Sequence, residues 1–278
     1  MPGSLLQCLY VTRPIDEAVG WVTSLQQAGW PAQALPLIEI AAPEDPQQRS
    51  ILESIRCHAH RYDALMFVSG AAVAHFFKGL PGLPWQDHTR FWAPGPATAK
   101  RLAQALHDQG IGAERIDSPP ADAGNFDSES LWPVVCSRVM NGTRVLIVRG
   151  ASGPVGDASP GSIPGAGRDW LIARCLEAGA QVEGCVAYER RPPSWTPQTL
   201  AMVREGAQPG HVWLFSSSQA VDHLCDAPES PDWGNSIAIA THPRIAQRAA
   251  DIGFGNVITV RPTLQDLLSA LESGWRRP

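Results

Sequence analysis

Short apolar runs alternate along the chain with stretches in which apolar residues recur every three or four positions. The run of residues 64–68 ends at Ser69, after which Val73, Phe76 and Phe77 share one face of a helix. Serine suits the start of a helix because its side-chain oxygen accepts hydrogen bonds from the free N–H groups of the first turn. The pattern therefore predicts a strand that leads through a serine directly into a helix.

This strand–serine–helix unit recurs in the second half of the chain, where the run of residues 212–215 ends at Ser216. Two other features also recur in the same order, an arginine after a strand and a Pro-containing turn before a helix. The matched pairs are Arg13 and Arg149, Ser69 and Ser216, and the turns 95–99 and 242–246. The repeat predicts an α/β protein of two similar lobes, each with a parallel sheet flanked by helices.

Residues that follow the predicted strands are the first candidates for a binding site, because ligands of open parallel sheets lie at the carboxyl ends of the strands. These residues are Arg13, Ser69, Thr98, Arg149, Ser216 and Thr241. If the two lobes face each other, the six side chains line one cleft. The arginines could instead be solvated charges, and Ser69, Thr98 and Ser216 simple helix caps. A helix start can also serve both purposes, since its N–H groups bind carboxylates.

Two stretches interrupt the alternation of strands and helices. Residues 34–40 resemble a strand, but Pro36 favours an edge strand or a segment that crosses between lobes. Glycine and proline crowd residues 150–167, which predicts a loop. The sequence contains neither GxGxxG nor GKS or GKT, so this loop favours a surface insertion or a substrate cover over a nucleotide site.

Composition narrows the classes of function. A net charge of −5 disfavours nucleic-acid binding, which usually needs a basic surface. The chain has no apolar run of about eighteen residues, and its first residues lack a basic region followed by a long apolar stretch. We therefore expect neither a membrane span nor a secretory signal. The six cysteines and eight histidines are dispersed without metal-ligand spacing. We therefore expect reduced thiols, no metal site and a cytoplasmic location.

Tyr188 is one of only three tyrosines, and it closes a predicted strand just before Arg190 and Arg191. A tyrosine at this position can simply pack at the end of the strand. It can also present its phenol as an acid or a hydrogen-bond donor. The residues alone leave both interpretations open.

The order and spacing of several short motifs resemble the uroporphyrinogen-III synthase family over nearly the whole chain. The motifs are Val11-Thr12-Arg13-Pro14, Phe67-Val68-Ser69, Gly95-Pro96-Ala97-Thr98-Ala99, Val145-Leu146-Ile147-Val148-Arg149-Gly150, Gly167-Arg168-Asp169-Trp170-Leu171, Val186-Ala187-Tyr188, Phe215-Ser216-Ser217 and His242-Pro243-Arg244-Ile245-Ala246. The sequence departs from the family pattern in its longer loop before Arg168 and at Arg244, where some members have threonine.

The resemblance implies two α/β lobes joined by a two-stranded linker, with the ligand cleft between the lobes. One lobe is discontinuous and would comprise residues 1–36 and 190–278, and the other would comprise residues 37–189. The linker strands would be about residues 35–40 and 185–190.

The resemblance also implies an activity, the dehydrative cyclisation of hydroxymethylbilane with inversion of ring D to give uroporphyrinogen III. The substrate is a linear tetrapyrrole with eight carboxylates. Its terminal hydroxyl leaves as water, the substituted carbon of ring D attacks the resulting azafulvene, and a spiro intermediate rearranges. Since the substrate closes unaided without inversion, the enzyme mainly holds its two ends in the required conformation. No metal or cofactor is implied.

The family's catalytic tyrosine corresponds to Tyr188, which would act as the proton donor. The implied substrate-binding residues are Arg13, Ser69, Thr98, Arg149, Arg168, Ser216, Thr241 and Arg244. We further expect a monomer that receives hydroxymethylbilane, with a possible transient hand-over from the preceding deaminase, and that contacts neither nucleic acid nor membrane.

Two other classes of protein stay open. A two-lobed ligand-binding or regulatory protein could keep this fold without catalysis. A nucleotide-sugar glycosyltransferase also has two α/β lobes, but the sequence shows no acidic or Gly-rich nucleotide site and is short for that class.

Overall fold

The computed structural model describes residues 4–120, 128–152, 169–229 and 231–276. The strands are β1 (Ser4–Leu5), β2 (Cys8–Val11), β3 (Ala32–Ala34), β4 (Glu39–Ala41), β5 (Ala64–Phe67), β6 (Arg90–Trp92), β7 (Ile116–Asp117), β8 (Arg144–Ser152), β9 (Gln181–Arg191), β10 (His211–Phe215), β11 (Ile237–Ala240), β12 (Asn256–Thr259) and β13 (Trp275–Arg276). The α-helices are α1 (Ile15–Gln27), α2 (Pro46–Cys57), α3 (Gly70–Phe77), α4 (Pro96–Asp108), α5 (Ser128–Val135), α6 (Asp169–Glu177), α7 (Pro197–Gly206), α8 (Ser218–Cys225), α9 (Pro243–Asp251) and α10 (Leu264–Gly274).

The chain forms two compact units. Unit 1 comprises Met1–Glu39 and Arg191–Pro278, and unit 2 comprises Ile40–Arg190. The chain passes from one unit to the other within β4 and again within β9.

Unit 1 is built on a parallel sheet with the strand order β12-β11-β10-β2-β3. All five residues of the central strand β10 are buried, as expected for a parallel strand with helices on both faces. On one face, Val212 and Leu214 join a hydrophobic core that contains Leu267 of α10. On the other face, the rings of Trp213 and Phe215 stack with centroids 6.0 Å apart. The alternation of side chains along β10 therefore divides the core into two layers.

Unit 2 contains a sheet with the strand order β4-β9-β8-β5-β6-β7, in which β9, β8, β5, β6 and β7 run parallel. The central strand β5 is buried throughout. Leu65 and Phe67 pack into one core cluster, which includes α3 and α4. Ala64 and Met66 pack into another on the opposite face, which includes α5 and α6. Helices on both faces explain why this strand is an uninterrupted apolar run in the sequence.

The predicted α/β class with parallel sheets is confirmed by these two sheets. The sequence also predicts a helix at 243–251, which starts at a proline and stops before Gly253, and α9 has these bounds. The sequence predicts a further helix at 130–139, but α5 runs from Ser128 to Val135, and a 3-10 turn follows it. The strand predicted at 34–40 is interrupted, because β3 ends at Ala34 and β4 begins at Glu39. Pro36 lies in the gap, where its missing N–H costs no hydrogen bond of a strand ladder.

The loop predicted at 150–167 begins later than expected, because β8 continues to Ser152. Residues 153–167 of that loop lie outside the described residues. Within the described part of the chain, none of the helices combines the length and the apolarity that a bilayer crossing requires.

Candidate active site

Ser69 stands at the carboxyl edge of the unit 2 sheet, just after β5. Its backbone is extended, with φ −162° and ψ 166°, and its Oγ accepts a hydrogen bond from the N–H of Ala72 at 3.2 Å. Ser69 is therefore the N-cap of α3, as the sequence predicts. The same Oγ lies 3.1 Å from the Oη of Tyr188, so the helix cap also holds a phenol.

Tyr188 reaches the serine cap because β9 contains a bulge. Strands β8 and β9 pair regularly up to Arg149, which lies opposite Val186, but the next residue, Gly150, lies opposite Tyr188. Ala187 is therefore left without a partner of its own. In a regular strand Ala187 and Tyr188 would face opposite sides of the sheet. With the bulge, both belong to the same core cluster as α3, and the phenol turns toward that helix.

The ring of Tyr188 is enclosed on several sides and is 1% exposed. A Cβ atom built on Gly150 would lie 2.3 Å from the Cζ of Tyr188, so only glycine leaves room for the ring. The imidazole of His75 contacts the ring, with centroids 5.8 Å apart and planes inclined by 38°. The backbone of Gly150, the imidazole of His75 and the hydroxyl of Ser69 therefore hold the phenol in place.

Two helices begin at this edge of the sheet, α3 after β5 and α4 after the neighbouring strand β6. The first-turn N–H groups of a helix have no partner within the helix, and with the helix dipole they favour carboxylates. Thr98 lies in the first turn of α4 and is 9% exposed. The N-cap of α4 is Gly95, so the reading of Thr98 as a simple cap is wrong. Hydroxyl, phenol and N–H donors therefore share the carboxyl edge of unit 2.

In unit 1, Arg13 follows β2 and lies along α1. Its Nη1 is 2.9 Å from the Oε2 of Glu17, and its guanidinium lies 4.4 Å from the ring centroid of Trp21. The arginine is thus already paired with a carboxylate. A carboxylate ligand would bind Arg13 only by competing with Glu17 or by sharing the guanidinium with it.

Ser216 follows β10, the neighbour of β2 in the sheet. Its Oγ is buried and has no hydrogen-bond partner among the described residues. The N-cap of α8 is Ser217, so the reading of Ser216 as a cap is wrong. A buried hydroxyl without a partner is costly, and a ligand group at this strand end would satisfy it.

Thr241 follows β11, the neighbour of β10 on its other side. Its N–H donates to the carbonyl oxygen of Phe215 at 3.1 Å, which continues the strand pairing past the end of β11. His242 is the N-cap of α9, since its Nδ1 accepts from the N–H of Arg244 at 3.1 Å. Arg244 is exposed in the first turn of α9. Unit 1 therefore brings Arg13, Ser216 and Thr241 to the ends of three adjacent strands.

One arginine predicted just past a strand, Arg149, is not found there. Arg149 lies inside β8 rather than after it, because the strand continues beyond the bulge to Ser152. Its expected position just past a strand is therefore wrong. Arg168 lies outside the described residues.

The chemistry of the unit 2 edge comes from hydroxyl, phenol and amide groups. Among the described residues, no three His, Cys, Asp or Glu side chains are grouped so that they could hold a metal ion. Cys185 lies near Tyr188 in β9, but burial raises the pKa of its thiol to about 12. That thiol stays protonated near neutral pH and is not a ready nucleophile.

Neither Gly150 nor His75 is predicted from the sequence to be part of this site. For Gly150 a signal existed, since a glycine within a strand often marks a bulge or a close approach of another group. For His75 there was no such signal, because a histidine on a short apolar helix is most simply explained as structural. Its contact with Tyr188 depends on the bulge, which sequence periodicity does not reveal.

Comparison with known proteins bears directly on this arrangement. A family model described as uroporphyrinogen-III synthase HemD matches residues 20–269. The chain belongs to the uroporphyrinogen-III synthase family. The match covers both units, including the strand ends at Ser69 and Ser216 and the bulge before Tyr188 in β9.

Solved structures of uroporphyrinogen III synthases align with nearly the whole chain. The uroporphyrinogen-III synthetase from Helicobacter pylori has a TM-score of 0.53 and 14% sequence identity, and the match covers 94% of this chain and 96% of that one. A mutant uroporphyrinogen III synthase from Thermus thermophilus has a TM-score of 0.47 and 14% identity, with 95% and 97% of the two chains covered. The Helicobacter likeness supports the same α/β fold.

Proposed function

We propose that this protein is a uroporphyrinogen-III synthase, a cyclising lyase of tetrapyrrole biosynthesis that converts hydroxymethylbilane into uroporphyrinogen III. The observation that carries the proposal is the family match over residues 20–269. The hydrogen bond between Ser69 and Tyr188 supports it, because it holds a phenol among helix N-termini at the carboxyl edge of a parallel sheet.

In this proposal Tyr188 is the proton donor for the first step. The bond between the terminal carbon and its hydroxyl oxygen breaks, the phenol gives its proton to that oxygen, and water leaves. The substituted carbon of ring D then attacks the resulting azafulvenium cation, and the spiro intermediate rearranges to the inverted ring. The final loss of a proton from a ring carbon balances the proton that Tyr188 supplied. General acid catalysis of this kind typically contributes about 10²–10⁴ in rate.

The remaining candidate residues have binding roles in the proposal. The helix starts at Ser69 and near Thr98 would bind carboxylates through backbone N–H groups. The positive side chains Arg13, Arg149, Arg168 and Arg244 would pair with further carboxylates, and Ser216 and Thr241 would donate hydrogen bonds.

Because Tyr188 is 1% exposed, substrate binding must uncover its hydroxyl. A change in tyrosine absorbance on binding substrate, absent from Tyr188→Phe, would report this exposure.

We also propose that the protein acts as a cytoplasmic monomer without a cofactor, and that hydroxymethylbilane can pass to it transiently from the preceding deaminase. Light scattering of the purified protein measures its mass in solution. Comparing free and deaminase-generated substrate at the same concentration measures the hand-over.

A coupled isomer assay tests the proposed activity. Hydroxymethylbilane is generated in situ, the protein is added, and the products are oxidised and separated as porphyrin isomers. We expect the type III isomer to predominate. If only the type I isomer of unaided closure forms, the protein is not a synthase, and a ligand-binding role for the same fold becomes the better explanation.

A further inference from the structure

A cavity in unit 2 lies beside Tyr188, and its lining includes several basic side chains. It has a volume of about 370 Å³. Its lining residues come from β4 and the segment after it, from one face of α2, from the end of α3 and from the bulge of β9. They are Ile40, Ala41, Ala42, Pro43, Arg49, Leu52, Glu53, Arg56, His75, Lys78 and Ala187.

The spacing on α2 explains how its charged residues reach one cavity. Arg49, Glu53 and Arg56 are four and three residues apart, so they lie on one face of the helix. The Nη1 of Arg56 is 2.8 Å from the Oε2 of Glu53, so these two charges compensate each other. The other guanidinium nitrogen of Arg56 donates to the carbonyl oxygen of Lys78, which ties α2 to the end of α3.

Two positive charges of the cavity remain without a carboxylate partner in the described part of the chain. They belong to Arg49 and Lys78, whose side chains are exposed and form no ion pair with another described residue. Most of the other lining residues are apolar, including Ile40, Leu52 and Ala187. This combination favours a ligand with two carboxylates on an apolar body.

His75 connects the cavity to the candidate active site. It lines the cavity, and its ring also contacts the ring of Tyr188 at a centroid distance of 5.8 Å. Ala187, the extra residue of the bulge, lines the cavity as well and precedes Tyr188 directly. A group bound in this cavity therefore lies next to the residues that fix the phenol.

We propose that this cavity binds one pyrrole ring of the substrate with its two carboxylate side chains, an inference that rests on the proposed function. Sites for small molecules have volumes of about 300–1,000 Å³, so this cavity suits one substituted pyrrole rather than a whole tetrapyrrole. The carboxylates pair with Arg49 and Lys78, and the ring packs against the apolar lining. Binding here anchors one part of the flexible substrate beside Tyr188.

Calorimetric titration with a monopyrrole that carries one acetate and one propionate side chain tests the cavity without requiring turnover. We expect the wild type to bind it, and Arg49→Gln and Lys78→Gln each to weaken binding about tenfold, in line with a lost charge-assisted hydrogen bond. Glu53→Gln removes the negative charge of the lining and should strengthen binding severalfold. Arg61→Gln is the matched control, because Arg61 is exposed in unit 2 and does not line the cavity.

Three results would overturn the inference: no binding by the wild type, equal binding by the Arg49→Gln/Lys78→Gln double variant, or equally tight binding of the monopyrrole dimethyl ester. Both exposed substitutions leave the core intact, and the melting temperature checks this.

In the isomer assay the double variant should raise KM about tenfold or more at unchanged kcat. A protein that forms no type III isomer but binds the monopyrrole through Arg49 and Lys78 refutes the proposed function and keeps the cavity. If the double variant shows normal turnover and unaltered monopyrrole binding, the proposed function is kept and the role of the cavity is refuted.

Discussion

Gly150 of β8 and Tyr188 of β9 lie opposite each other immediately after the bulge, and the ring of the tyrosine occupies the space where a side chain of residue 150 would be. A Cβ on Gly150 would meet the Cζ of Tyr188 at 2.3 Å, far inside van der Waals contact. The φ angle of Gly150 is not in the left-handed region, so backbone freedom does not explain this glycine. It is required because the phenol needs the space.

Gly150→Ala should therefore displace the phenol and separate it from Ser69. We expect the rate of type III isomer formation to fall about tenfold or more, because misplacement of a catalytic group by about 1 Å can cost a factor of about 10². Gly82→Ala is the control, since nothing lies within 4 Å of a Cβ at that position. Turnover in Gly150→Ala equal to that of Gly82→Ala would contradict the positioning role.

Ser69 should show two separable effects, because its Oγ both caps α3 and contacts Tyr188. Ser69→Ala should lower the free energy of unfolding by about 1 kcal/mol, the usual contribution of an N-cap, and should also lower kcat. Thr263→Ala removes a similar cap of α10, where Thr263 accepts from the N–H of Asp266 at 3.1 Å. It should cost similar stability with no change in kcat. Urea unfolding and the isomer assay on both variants would reveal whether the kinetic effect merely follows stability.

Ser216→Ala should not lower the free energy of unfolding, in contrast to Ser69→Ala. Its buried Oγ has no hydrogen-bond partner among the described residues, so Ser216→Ala removes a desolvated polar group without breaking a bond. We expect the free energy of unfolding to stay equal or to rise by up to about 1 kcal/mol, while KM increases if the hydroxyl meets substrate. A loss of stability above about 1 kcal/mol would mean that the hydroxyl has a structural partner, and an unchanged KM would remove Ser216 from the binding site.

The sequence predicts most of the fold because buried parallel strands and amphipathic helices leave strong patterns. The apolar run of β5, the serine cap after it and the bounds of α9 all follow from local residue chemistry. Such features depend on neighbours within a few positions of the chain. They can therefore be derived without knowledge of tertiary contacts.

The details that shape the candidate site depend on contacts that are distant in sequence. The bulge at Ala187 appears only in the pairing of β9 with β8, and it decides where Tyr188 points. The same pairing carries β8 past Arg149, which no pattern within β8 indicates. Ser216 looks like a cap in the sequence, yet the helix begins one residue later. Hydrophobic periodicity does not locate a strand or helix to within one residue, although a shift of one residue changes which side chains meet.

Buried thiols predict how stability depends on alkaline pH. Burial raises the pKa of Cys175 in α6 from 9.0 to about 11. Because the thiol loses its proton at lower pH in the unfolded chain than in the folded one, its contribution is complete below about pH 9 and is lost as pH rises toward 11. The raised pKa values of the buried phenols of Tyr10 and Tyr62 act in the same direction at higher pH.

The free energy of unfolding should thus fall as pH rises above about 9, with each such group contributing at most about 1.4 kcal/mol per pH unit. Cys175→Ala should make this fall less steep, whatever its effect on stability at neutral pH. Cys57→Ala is the control, because Cys57 is exposed and its thiol loses no comparable burial on unfolding. Urea unfolding of the three proteins at several pH values between about 8 and 11 measures the slopes. Equal slopes for Cys175→Ala and the wild type would show that this thiol titrates alike in the folded and unfolded chains.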